Sequence, residues 1–145
     1  MYQHILLPVD GSAVSLRAAD AGIALARQLG ARVHVLHVVV PLPTVPFLDE
    51  IIAASNIEYV DSAQAAGQLC VAQVCERAGA AGVPCASSLE SDAKPHRVII
   101  AVAKRLGCDL IVMGSHGWRG LDRLLMGSET QRVILEAGLP VLVNR

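Results

Sequence analysis

Two glycine-containing turns hold the residues whose types and spacing suit chemistry best. One is Asp10-Gly11-Ser12, which closes an apolar run. The other is Gly114-Ser115-His116-Gly117-Trp118-Arg119-Gly120, followed by Gly127-Ser128 where a helical pattern begins. Glycine lets a backbone come close to a phosphate and adopt positive φ. A helix N-terminus offers unpaired N–H groups and a partial positive charge to an anion. Both devices flank one loop, a combination suited to a nucleotide polyphosphate. The competing reading is architectural: Gly114 and Gly117 shape a turn, while Ser128 caps a helix and Gln131 completes a capping box. The two are compatible, since a capped N-terminus still presents N–H groups. The two familiar phosphate motifs are absent. There is no G-x-x-x-x-G-K-[ST], and Gly11 stands alone where a dinucleotide fold would carry G-x-G-x-x-G.

Single residues near these turns each have a plainer role to set against a functional one. Asp10 is a turn former before Gly11, and it also stands where a ligand crevice is expected. His116 has the type of a general base, but no serine or cysteine nucleophile with an orienting acid accompanies it; donation to a phosphate suits it better than catalysis. Trp118, the only tryptophan, either covers a nucleotide or packs at a subunit contact. His34 and His37 lie at odd spacing on one strand and point to opposite faces, which does not make the convergent set a zinc ion needs. The four cysteines, Cys70, Cys75, Cys85 and Cys108, form no C-x-x-C pair and read as reduced apolar fillers.

These residues must be positioned by alternating strands and helices. Strands are expected over 4–9, 32–39, 84–89, 109–113 and 140–143. The β-branched run over 32–39 suggests burial on both faces. A helix is expected over 12–29, where Leu16, Ala19, Ile23 and Ala26 recur at helical spacing and Gly30 ends the pattern. A second runs over about 59–81 and stops at Gly79 or Gly82. The third has Pro95 in its first turn and Gly107 at its C-terminal cap; the fourth starts at Ser128. The segment 40–58 holds three prolines that keep its first half extended, with a short helical turn near 49–54. The order β-α-β-α-β-α-β-α-β implies an α/β domain spanning 1–145, with one parallel sheet and helices on both faces. Ligands of such sheets bind at the carboxyl ends of the strands, where strand order reverses.

Composition narrows the function classes. With 53% hydrophobic and 17% charged residues, the chain is too apolar for intrinsic disorder. With only four aromatics, its core must come from Val, Ile, Leu and Ala. A net charge of −1 lacks the clustered positive surface that nucleic acid requires. No basic amphipathic stretch points to a membrane, and prolines 41, 43 and 46 break the longest uncharged run. Residues 1–10 lack a basic region and Asp10 cuts their apolar run short, so no signal peptide is expected and the protein is read as cytoplasmic.

Gly114, two residues, Gly117, nine residues, then Gly127-Ser128 matches the G-x2-G-x9-G-[ST] pattern of universal stress proteins, which the chain resembles along essentially its whole length. His4-Ile5-Leu6-Leu7-Pro8-Val9-Asp10, Asp109-Leu110-Ile111-Val112-Met113-Gly114 and Pro140-Val141-Leu142-Val143 are similar to that family's first, fourth and last strands. The resemblance implies an open five-stranded parallel sheet of order 3-2-1-4-5, the adenine nucleotide alpha hydrolase-like fold. It also implies ATP as ligand, with Mg²⁺ held through the phosphates. Asp10 would contact the ribose or adenine end. Pro8 and Val9 would line the base, with Val38 touching adenine, and Met113 and Gly114 would border the ribose. Ser115, His116, Gly117, Gly127 and Ser128 would hold the phosphates, with Glu129 and Thr130 beside them. A homodimer through strand 140–144 is implied too, and the uncharged edge-strand sequence invites it independently.

One residue departs from the family pattern. Position 129 is usually small or apolar there, and a carboxylate in this first turn would repel a triphosphate. Glu129 is expected to face solvent; pointing inward, it would instead help coordinate Mg²⁺. Arg119, Arg123 and Arg132 offset Asp122 and Glu129 by one net positive charge. The leading expectation is an ATP-binding regulatory module with no dedicated catalytic residue and no protein-held metal site. The alternatives are a nucleotide-free dimeric scaffold disabled by Glu129, and a slow Mg²⁺-dependent ATPase using Asp10 and His116.

Overall fold

A computed structural model of the chain describes residues 1–42, 49–117 and 126–145, the stretch 49–56 by its backbone alone. The elements are β1 (His4–Pro8), α1 (Ala13–Leu29), β2 (Arg32–Val39), α2 (Asp49–Ala80), β3 (Cys85–Ser91), α3 (Pro95–Leu106), β4 (Leu110–Gly114), α4 (Ser128–Glu136) and β5 (Val141–Asn144). All strand pairs are parallel, and the order is β3-β2-β1-β4-β5, as the resemblance implied. The stop signals act as their chemistry dictates. Gly30 and Gly107 both adopt left-handed φ of 66° at the ends of α1 and α3, a conformation other residues resist.

Strand alternation sends each strand's residues to two separate apolar layers. Ile5, Leu7, Val33, Val35, Leu110 and Val112 pack under α1 and α2, among Ile23, Val71 and Val74. Leu6, Leu36, Ile111 and Met113 pack on the opposite face with Ile99 and Val102 of α3 and Val133 of α4. β1 and β4 are buried throughout, so the sheet's centre reads as continuous aliphatic sequence. β5 lies at one edge and β3 at the other.

Most expected bounds hold to within one residue, and two expectations needed a larger correction. The turn near 49–54 and the helix from 59 are one helix, α2, of 32 residues. Nothing in Ser55-Asn56-Ile57-Glu58 breaks a helix, so the turn propagates instead of stopping. β3 also runs to Ser91, beyond the expected end at 89, because β2 keeps pairing with it as far as Val39–Ser91. No helix among the described residues is long and apolar enough to cross a membrane.

The amino end of the sheet carries a titratable pair that no ligand role requires. His4 donates from Nδ1 to Leu106 O (3.2 Å), and His34 hydrogen-bonds Ser88 through Nε2 (2.8 Å). Both imidazoles are buried, and their rings meet edge to face at 6.5 Å. Burial, then the Arg32 charge, lowers the His4 pKa from the usual 6.5; burial, then His4 and Arg105, lowers that of His34. Below pH 6.5 the unfolded chain therefore takes up protons at these positions before the folded chain does, and stability falls as pH drops. Above that pH the pair contributes no pH dependence. Urea unfolding should give a lower midpoint at pH 5.5 than at pH 7.5, and His34→Gln should flatten the difference.

Candidate nucleotide site

The carboxyl ends of the central strands open because β1 and β4 pair only at Ile5–Leu110 and Leu6–Ile111. Beyond those pairs the strands separate, with α1 leading off to one side of the sheet and α4 to the other. The resulting cleft has a volume of about 460 Å³, within the range of small-molecule sites. Of the residues the sequence nominated, Pro8, Val9, Asp10, Val38, Met113, Gly114, His116, Gly117, Gly127, Ser128, Glu129 and Thr130 line it. Ser115 alone does not. Its N–H donates to Asn144 O (2.9 Å), its carbonyl accepts from Gly127 N (2.7 Å), and its hydroxyl pairs with His116 Nδ1 (2.9 Å). It is the neck of the loop, and the neck keeps its polar groups for itself. Trp118, Arg119, Asp122 and Arg123 fall outside the described residues.

Asp10 has both of the roles weighed for it. Oδ1 accepts from Ser12 N (2.9 Å) and so shapes the turn into α1, while the carboxylate also lines the cleft. Ser15 holds the same turn from within the helix, its Oγ accepting from Asp10 N (3.2 Å) and donating to Ser12 O (3.0 Å). Asp10 Oδ2 occupies the place where a Cβ at position 117 would stand, so the two turns touch only because residue 117 is glycine. Position 127 is tight in a milder way: a Cβ there would lie 3.1 Å from His116 Cα, a contact that a shift of a few tenths of an ångström relieves.

The capping box does not form. Gly127 is the N-cap of α4, Ser128 is its first helical residue, and no side chain caps this end. Gln131 instead donates from Nε2 to Met126 O (2.9 Å). The Gly127 N–H bond to Ser115 fixes the chain before Ser128, so the helix starts one residue late for the box. The consequence favours an anion: the first N–H groups of α4 meet the cleft without a side-chain cap. Thr130 donates its hydroxyl to Gly114 O (2.9 Å) and is buried, which ties α4 to the end of β4.

Glu129 does not face solvent freely. Its side chain is 35% exposed; Oε2 accepts from His96 N (2.7 Å) and Nδ1 (2.9 Å), and Oε1 from Arg132 Nη1 (3.2 Å). The reason lies in α3. Its cap residue, Lys94, supplies no side-chain bond, and Pro95 fills the first position. The His96 N–H is then an orphan donor, and Glu129 reaches from α4 to satisfy it. One carboxylate thus lies at the positive ends of two helices. Sequence reading also missed Leu36, His37, Pro95 and Ile99, all of which line the cleft. His37 donates from Nδ1 to Val9 O (2.9 Å), and its position beside Val38 was the only sequence signal for it.

The model of the universal stress protein family matches residues 1–145. The chain belongs to that family. Universal stress protein MJ0531 of Methanocaldococcus jannaschii is 35% identical over 144 residues, covering 99% of this chain and 82% of the relative. Among solved structures, protein MJ0577 of the same organism superposes with a TM-score of 0.83 at 26% identity, over 99% of this chain and 96% of that one. Two further family structures share the fold, both with a TM-score of 0.66. One is a universal stress protein in complex with cAMP, 24% identical, with 98% of this chain and 95% of that one covered. The other is that of Archaeoglobus fulgidus in complex with dAMP, 23% identical, with 99% and 98% covered.

Proposed function

We propose that this universal stress protein binds an adenine nucleotide, ATP with Mg²⁺ held through its phosphates, as a cytoplasmic regulatory module. The observation that carries the reading is the cleft itself. An apolar wall of Val9, Leu36, Val38 and Met113 suits the flat base. At the other end, Gly117 and the uncapped N-terminus of α4 suit the phosphates. Asp10, between them, suits ribose hydroxyls, which a carboxylate accepts as hydrogen-bond donors. The cAMP and dAMP held by two proteins of this fold are adenine nucleotides, and the binding chemistry argued for this chain is of that class. His116 serves as a phosphate donor in this reading, and the bound nucleotide acts as the signal.

Nucleotide released by denaturing freshly purified protein, and identified by mass spectrometry, tests the proposal. An adenine nucleotide is expected. Finding none, together with no micromolar affinity for ATP in the presence of Mg²⁺, would sink it. Pairing of two copies along β5 belongs to the same proposal. β5 is a sheet edge with Leu142 exposed, and the preceding helix leaves Ile134 and Leu135 exposed, Leu135 at 82%. Light scattering should give twice the chain mass at micromolar concentration; a monomer would contradict the pairing.

A further inference from the structure

We propose that Cys75 and Cys85 form a reversible disulfide that staples the end of α2 to the start of β3. Their sulfurs lie 2.6 Å apart, and both side chains are half-buried and packed against the layer beneath α1 and α2. Cys75 stands near the end of α2 and Cys85 opens β3, so the two elements meet at this contact just across the turn that joins them. The remaining cysteines are placed differently. Cys108 is buried in the opposite layer, and Cys70 packs near Asp10 and Gly11.

The oxidant is a low-molecular-weight disulfide. The thiolate of one of the pair attacks one of its sulfurs, that S–S bond breaks, and one small thiol leaves. The other cysteine then loses its proton and attacks the protein sulfur of the mixed disulfide, which expels the second small thiol. The two protein thiols give up two electrons and two protons, and both small thiols carry them away. Burial, and then the neighbouring Cys75 thiol, push the Cys85 pKa up to about 12.

The staple lies far from the cleft. Cys85 pairs with Val33 at the amino end of the strands, whereas the cleft opens at their carboxyl end. Its effect is therefore on stability. It closes a short loop in the unfolded chain and pins the edge strand β3. Incubating the full chain with oxidised glutathione, then alkylating it under denaturing conditions, should label Cys70 and Cys108 only and yield one peptide pair joined through 75 and 85. The melting temperature should rise by about 5–10 °C, and dithiothreitol should return it. Cys75→Ser and Cys85→Ser should each remove the rise. Four alkylated thiols, glutathione retained on either cysteine, a bond between another pair, or a joined pair without a thermal shift would each overturn the proposal.

Discussion

Gly117→Val should weaken ATP binding by about 100-fold or more, equivalent to ~2.7 kcal/mol, while the melting temperature moves by only a few degrees. Residue 117 does not have positive φ, so its backbone accepts a side chain without strain. The cost is steric and local. Any Cβ there overlaps Asp10 Oδ2, and that carboxylate is already held by Ser12 N. It must rotate off the turn or push the 114–117 loop outward, and either movement disturbs the proposed ribose and phosphate contacts together. Isothermal titration with ATP and Mg²⁺, alongside thermal melting, separates this from unfolding. Retained affinity within about fivefold, a loss of only ~1 kcal/mol, would show that the two turns do not form the site.

Glu129→Ala should lower stability by about 1–3 kcal/mol, because it leaves the buried His96 ring and the first N–H of α3 without their acceptor. In a chain of this size that corresponds to a melting temperature lower by roughly 4–10 °C. Glu129→Gln keeps an oxygen for His96 N–H and should recover most of the loss. The glutamine variant also removes a negative charge from the phosphate end of the cleft. ATP should then bind more tightly by on the order of 1 kcal/mol, about fivefold, with a smaller gain for AMP, which carries less phosphate charge. Equal melting temperatures for wild type and the alanine variant would mean that the α3–α4 bridge contributes nothing.

What the sequence made legible divides along the range of the interactions involved. Local signals worked: Pro95 and Gly107 bound α3 as expected, and the expected 32–39 run is β2 residue for residue. The glycines of the candidate site were legible because their spacing records close approaches, of Gly117 to the Asp10 carboxylate and of Gly127 to the His116 backbone. Sheet order came from family resemblance, since alternating strands and helices do not dictate which strands neighbour each other. Long-range partners were out of reach. Glu129 looked solvent-facing because its acceptor role is set by an uncapped helix 33 residues earlier. Ser128 looked like a cap because Ser-x-x-Gln is a local motif, and only the Gly127–Ser115 bond shows that the helix starts after it. The Cys75–Cys85 contact depends on how α2 turns into β3, which no cysteine spacing reports.

Where an adenine nucleotide meets this chain decides whether the cleft is its site. Amide chemical shifts, followed by NMR while ATP and Mg²⁺ are titrated into the uniformly ¹⁵N-labelled protein, report both affinity and place. The prediction is a saturable micromolar response at the amides of residues 9–12, 37–38, 114–117 and 127–130. The amides around Cys85 at the opposite end of the sheet should stay still. No response at millimolar ATP, or a response gathered away from those segments, would contradict it.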